Sequence, residues 1–234
     1  MDAADRLADP LACEPVLAVE ALAYAWPGGE PLIDLPELTL APHERLFIEG
    51  ASGSGKSTLL SIIAGVIRPD RGRVRLLGRD LTELPAARRD RIRADHIGLI
   101  FQQFNLIPYL SAADNVLLAC RFSPRRRGRC PDPRGEARRL LAHMGIDTPE
   151  LLARPAARLS IGQQQRVAAA RALIGSPELV IADEPTSALD PPLRERFLAL
   201  LFAECAAAGS ALLFVSHDPQ LAAAFPRRLR LGAP

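Results

Sequence analysis

Gly50-Ala51-Ser52-Gly53-Ser54-Gly55-Lys56-Ser57-Thr58 has the spacing G-x-x-x-x-G-K-[ST], and its surroundings constrain the fold more than any other stretch of the chain. Before it, Leu46-Phe47-Ile48 reads as a short buried strand. After it, Leu59, Ile62, Ile63 and Val66 recur at helical spacing, with Pro69 ending the run. Strand, glycine-rich turn and helix together aim backbone N–H groups and a helix N-terminus at phosphates. Gly50, Ser52, Gly53, Ser54, Gly55 and Thr58 then form the cradle. Lys56 reaches β- and γ-phosphate oxygens, and the Ser57 hydroxyl ligates Mg²⁺. Lys56 is also the only lysine among 29 basic residues, the rest being arginine. The one ammonium stands where a planar guanidinium would be too large and wrongly shaped.

Composition narrows the setting. A chain of 234 residues suits one large domain, or one domain with an inserted subdomain. A formal net charge of +2 argues against strong general affinity for nucleic acid. No apolar run approaches the roughly 20 residues needed to span a bilayer. The acidic start Met1-Asp2-Ala3-Ala4-Asp5 lacks the apolar core of a secretory signal. The chain is therefore expected in the cytosol, with any membrane role borrowed from a partner. Cys13, Cys120, Cys130 and Cys205 are scattered without metal-ligand spacing, and Cys120 and Cys205 read as small apolar fillers.

Residues 1–15, rich in Ala, Asp and Pro, are expected to form a loose tail. Val16–Val19 and Glu37–Leu40 suggest an antiparallel sheet leading into the Leu46 strand. Between them Trp26, the only tryptophan, precedes a Pro-Gly turn. It is either a platform for a nucleotide base or an ordinary turn anchor, and Tyr24 is the rival platform. Gly72–Leu81 suggests a hairpin, and Arg88–Arg93 a solvated helix face. Ile97–Phe101 reads as a second apolar strand, with Gln102 beyond it at the edge where α/β sheets bind ligands. There Gln102 is either a surface residue or a Mg²⁺ ligand and γ-phosphate sensor. From Asn105 to about Arg158 short helices and arginine prevail, and Ser123–Pro133 reads as a basic loop, solvated in preference to touching anionic lipid headgroups. Ser160 suits a helix N-cap, which leaves Gly162 and Gln163 near exposed N–H donors: a plain cap, or a second anion site. Leu179–Ala182 is a continuous apolar run, as in buried parallel strands, ending in Asp183-Glu184. Asp183 would hold Mg²⁺ and Glu184 would act as general base on the attacking water, unless the pair merely caps a helix. Asp190 caps the helix starting at Pro191, and Gly209 ends it. Ala211–Val215 is a further buried strand, and His217 beyond it is either a structural histidine or, by its place at the strand's C-terminal end, a group within reach of a γ-phosphate.

These pieces, in this order from about Val16 to Leu231, resemble the nucleotide-binding subunit of an ATP-binding cassette (ABC) transporter. The resemblance implies an α/β P-loop fold with a mixed or parallel sheet, an N-terminal antiparallel β-subdomain and an inserted helical subdomain at about 105–165. It casts Trp26 as the adenine-stacking aromatic, Gly50–Thr58 as Walker A and Gln102 as the Q-loop. Leu159–Gln163 becomes the signature motif, Leu179–Glu184 Walker B, Ser187–Asp190 the D-loop and His217 the switch histidine. It further implies a homodimer closing head-to-tail on two ATP with Mg²⁺, Ser160 and Gly162 of one copy clasping the γ-phosphate held by Lys56 of the other. A membrane permease would dock near Gln102 and the helical insert, placing the chain on the cytoplasmic face of the plasma membrane. One departure stands out: Ile161 occupies the first glycine position of Leu-Ser-Gly-Gly-Gln, so the backbone there must suit an ordinary L-residue. The sequence stops soon after the last strand, so no C-terminal regulatory domain is expected.

Ile97–Pro108 with Asn115-Val116, and Ala182–Asp190, are similar to the lipoprotein-release and macrolide-exporter type of ATPase. That type implies a permease of few spans with a large extracytoplasmic domain, driving export or extraction. A cell-division relative signalling to a cell-wall hydrolase, or an importer subunit, is the alternative. A soluble ATPase acting on DNA or ribosomes is disfavoured, because no long coiled coil separates Walker A from the signature. The guanine-reading Asn-Lys-x-Asp motif is impossible, since the only lysine follows Gly55.

Overall fold

The computed structural model describes residues 14–187 and 189–232. The tail expected over residues 1–15, Cys13 and the D-loop's Ala188 thus fall wholly or mostly outside the described residues.

Among the described residues nine strands form two sheets. β1 (Leu17–Ala25), β2 (Pro31–Leu40), β4 (Arg71–Leu76) and β5 (Arg79–Asp80) make an antiparallel sheet in the order β2-β1-β4-β5. β3 (Arg45–Glu49), β6 (Ile97–Ile100), β7 (Leu179–Asp183), β8 (Ala211–Val215) and β9 (Arg227–Arg230) make a second sheet, order β6-β7-β8-β3-β9, with every pairing parallel. The first strand runs on to Ala25 because its alternation changes phase. Leu17 and Val19 are buried, then Leu22 and Tyr24. Ala21 between them has φ 46, and the pairing of β1 with β4 shifts register there. Such a bulge resets the period-2 pattern. Tyr24 is therefore a core residue. The Arg71–Asp80 hairpin is as expected, turning at Leu77 and Gly78, both with positive φ.

The parallel sheet separates two cores. Phe47, Val180, Ala182, Leu212 and Phe214 face one, and Leu46, Ile48, Leu179, Ile181, Leu213 and Val215 face the other. Strands buried on both sides must read as continuous apolar runs, as these do. The second core also holds α1 (Lys56–Ile63) and the antiparallel sheet, flanked by α2 (Ala86–His96). The first holds α3 (Ala112–Phe122), α5 (Pro133–His143), α7 (Ile161–Leu173) and α8 (Pro191–Ala208). α4 (Pro124–Gly128) and α6 (Pro149–Ala153) are short helices on either side of α5 in the chain.

Two expectations change. α1 ends at Ile63, with Gly65 at φ 69, so Val66 lies beyond the helix and is exposed. The basic stretch 123–133 is not a loop throughout: it contains α4 and the first residue of α5, while Arg125, Arg127 and Arg129 stay exposed. Ser123 caps α4, and Arg126 is buried, donating to the carbonyls of Ala172 and Ile174. Arg125 and Arg129 both pair with Glu178 at 2.7 Å. Cys120, Cys130 and Cys205 are buried free thiols, and burial is the main cause raising their pKa, Cys120 to about 11 and Cys205 to about 12.

Candidate active site

Parallel strands end on one edge, so the loops leaving β3, β6, β7 and β8 converge there. Ile48, Asp183 and Val215 sit level across the sheet. The result is a cleft of about 680 Å³ in which Trp26, Lys56, Gln102, Asp183, Glu184 and His217 meet. Ser52, Gly53, Gly55, Ser57, Thr58 and Leu32 complete its wall.

Glycines shape the loop, with Gly53 at φ 81. A Cβ on Gly50 would stand 2.4 Å from Ser54 Oγ and 3.1 Å from the Leu231 carbonyl oxygen, so a side chain there would displace Ser54 and press on the chain beyond β9. Gly55 opens α1 at φ 84, and a Cβ there would also press Leu32 at 3.0 Å. The buried Lys56 donates to the carbonyls of Gly50 at 2.8 Å and Ala51 at 2.9 Å, so its ammonium lies across the loop.

Asp183 ends β7, and its Oδ1 is buried without a hydrogen-bond partner. Burial raises its pKa, and the Ser57 hydroxyl against the carboxylate opposes that rise. The oxygens of Ser57, Gln102 and Asp183 suit a hard cation such as Mg²⁺, and the orphaned Oδ1 fits a cation or its bound water. Among the described residues no group of three His, Cys, Asp or Glu side chains could hold a metal alone.

Glu184 follows at φ 47, a backbone unfavourable for a long side chain. Its N–H donates to the Val215 carbonyl at 3.0 Å, which anchors that turn to β8. The buried carboxylate accepts from His217 Nδ1 at 2.8 Å and from Ser216 Oγ at 3.3 Å. An ionised carboxylate only accepts, so Nδ1 carries the proton, and a neutral ring then offers Nε2 as an acceptor. His217 itself is 66% exposed at the cleft mouth.

Trp26 is half exposed and meets the buried Tyr24 edge-on, with ring centroids 5.4 Å apart, so Trp26 alone of the two offers a face to the cleft. Gln102 lies two residues past the end of β6.

Ser160, Gly162, Gln163 and Asp190 do not line this cleft. Ser160 caps α7 in a reciprocal box: Gln163 N–H donates to Ser160 Oγ, and Ser160 N–H donates to Gln163 Oε1. Ile161 takes the first helical position, without positive φ, and its side chain is 58% exposed. The departure from glycine is thus accommodated as ordinary helix. Asp190 caps α8 by accepting from Leu193 N–H at 3.0 Å, and Gly209 ends that helix at φ 71.

Sequence reasoning missed Ser216, which bridges Glu184 and the Asp218 N–H, and Leu32, which packs under the loop. Ser216 is adjacent to His217, and that adjacency was its only signal. Leu32 carried none.

The family model described as ABC transporter matches residues 34–187. The macrolide export ATP-binding/permease protein MacB of Chromobacterium violaceum is 39% identical over 92% of this chain and 33% of its own length, so the chain spans about a third of such relatives. The lipoprotein-releasing system ATP-binding protein LolD of Shewanella sp. (strain MR-7) is 37% identical, over 92% of this chain and 93% of its own. The ABC transporter ATP-binding protein YbbA of Escherichia coli (strain K12) is 42% identical over 83% of each. Among solved structures, a dimeric post-hydrolysis state of the cassette MJ0796 bound to ADP and Pi superposes with a TM-score of 0.83 at 34% identity, over 92% of this chain and 94% of that one. On this evidence the chain belongs to the ABC transporter family, as an ATP-hydrolysing cassette.

Proposed function

We propose that two copies of this chain close head-to-tail on two ATP molecules and thereby drive an integral-membrane permease from the cytoplasmic face of the plasma membrane. The observation that carries this reading is the convergence of Lys56, Ser57, Gln102, Asp183, Glu184 and His217 on one cleft, while the capped start of α7 stands outside it. A site so divided is completed by a second copy. The dimeric cassette of 34% identity supports the same arrangement.

In this reading Trp26 stacks on adenine, the 50–58 loop wraps the phosphates and Lys56 neutralises their charge. Ser160, Gly162 and Gln163 of the second copy cover the γ-phosphate, with Asp190 fixing the start of α8 beside them. Mg²⁺ held by Ser57, Gln102 and Asp183 would supply charge neutralisation at the β- and γ-phosphates. Glu184 takes a proton from water as its oxygen bonds to the γ-phosphorus, and the bridging P–O bond breaks with its electron pair leaving on ADP. The His217 ring orients that carboxylate through Nδ1. Contact from Nε2 to a phosphate oxygen then requires the imidazolium.

A separate groove of about 750 Å³ lies beside the Gln102 loop, with Ile97, Leu99, Phe101, Leu118 and Phe122 on its walls. We assign it to a cytoplasmic segment of the permease. Likeness to a macrolide export ATP-binding/permease protein and to a lipoprotein-releasing ATP-binding protein supports work in export or extraction, and the permease of this reading has few spans and a large extracytoplasmic domain. Purification of the tagged Glu184→Gln chain from native membranes with ATP tests this. Recovery of such a permease is expected. A many-span importer core would refute the subtype, and ribosomes or DNA in place of a membrane protein would refute the transport role.

A further inference from the structure

The loop that carries Gln102 ends in two consecutive left-handed residues, Phe104 at φ 58 and Asn105 at φ 48. Asparagine tolerates that conformation, but in phenylalanine the Cβ crowds the following carbonyl, so the turn needs outside support. Arg171 provides it from α7. Its Nη2 donates to the Phe104 carbonyl and its Nη1 to the Asn105 carbonyl, both at 2.6 Å. The guanidinium is half-buried, and burial lowers its pKa, so its placement carries a desolvation cost that these two bonds offset.

α7 is also the helix whose capped start bears Ser160 and Gly162. At 1.5 Å per residue, Arg171 lies about 16 Å along it from Ser160. Between them Val167, Ala168, Ala169 and Ala170 are fully buried, so this segment is packed as a rod. One end faces the expected second copy, and the other grips the Gln102 turn. Arg171 also lines the groove assigned to the permease.

We infer that Arg171 is a positioning residue for ATP hydrolysis, holding the Phe104–Asn105 turn so that Gln102 moves with α7 when the two copies close. The inference rests on the reading of Gln102 as a contact to Mg²⁺ or the γ-phosphate. Its test compares Arg171→Met, Gln102→Ala and the double variant in the full chain, with kcat from steady-state hydrolysis and ATP affinity from equilibrium dialysis. Arg171→Met is expected to lower kcat at least tenfold while ATP affinity changes less than threefold. On top of Gln102→Ala it adds less than a twofold loss, because its effect passes through Gln102. Independent, multiplicative losses, or a parallel fall in affinity and kcat, would overturn the inference in favour of general packing. Normal kcat in Arg171→Met beside an impaired Gln102→Ala would also overturn it, whereas normal kcat in Gln102→Ala would refute the Gln102 reading itself. Should Arg171→Met not fold, Arg171→Lys carries the test. A point ammonium replaces the planar fork poorly, so kcat falls at least threefold at unchanged ATP affinity, and an unaltered kcat overturns the inference.

Discussion

Glu178, just before β7, ties α4 and the end of α2 to the base of the strand that carries Asp183. Its Oε1 accepts from Arg125 and Arg129, both at 2.7 Å, and its Oε2 accepts from His96 Nδ1 at 2.9 Å. Burial alone would raise its pKa, but hydrogen bonds from His96 and Arg125, with the His96 charge, hold it at about 2 against an ordinary 4.5. At about 1.4 kcal/mol per pH unit that difference corresponds to about 3 kcal/mol. The two guanidiniums are 42% and 38% exposed, so solvent screening reduces the expectation to about 2 kcal/mol. Glu178→Gln should therefore lower the urea-unfolding free energy by about 2 kcal/mol at pH 7, and the melting temperature by about 4–8 °C. The folded-state pKa is depressed, so this stabilisation is complete above pH 4.5 and is lost as pH falls towards 2. The gap between wild type and variant should shrink by about 1 kcal/mol at pH 3.5, where the unfolded carboxylate has already taken up its proton. Equal stability at pH 7, or a gap unchanged at pH 3.5, would refute the reasoning.

Two predictions concern the nucleotide. Amine-reactive labelling should modify only the N-terminus and Lys56, and Mg-ATP should protect Lys56; labelling indifferent to nucleotide would contradict the phosphate site. Trp26→Ala should weaken ATP binding about tenfold, from a stacking contribution of about 1–3 kcal/mol, with kcat within twofold. Unchanged affinity in a titration would remove Trp26 as the base platform, and the buried Tyr24 could not replace it without repacking the core.

Much of the site was legible because its parts are local. The Gly50–Thr58 loop, the apolar runs ending at Asp183 and Val215, and the caps at Ser160 and Asp190 each have a physical signature a few residues long. The convergence of Gln102, Glu184 and His217 also followed, since buried parallel strands must end on one edge. What escaped depends on contacts distant in sequence. The phase change at Ala21 hid the second half of β1 from a period-2 reading. The partners of Arg125, Arg126 and Arg129, and the burial of Arg126, were hidden because Glu178 and the Ala172 and Ile174 carbonyls lie about 50 residues away. Arg171 carried no motif at all. Its role became visible only with the backbone dihedrals of Phe104 and Asn105.

The central claim is that Glu184 acts as base in a cleft closed by a second copy. Its most direct test measures, on purified Glu184→Gln protein with Mg-ATP, both turnover and mass in solution. Loss of a general base predicts turnover reduced about 10²–10⁴-fold, with the mass doubling on ATP and reverting when nucleotide is removed. Near-normal turnover would contradict the role of Glu184. A mass that stays monomeric at saturating ATP would contradict the shared site.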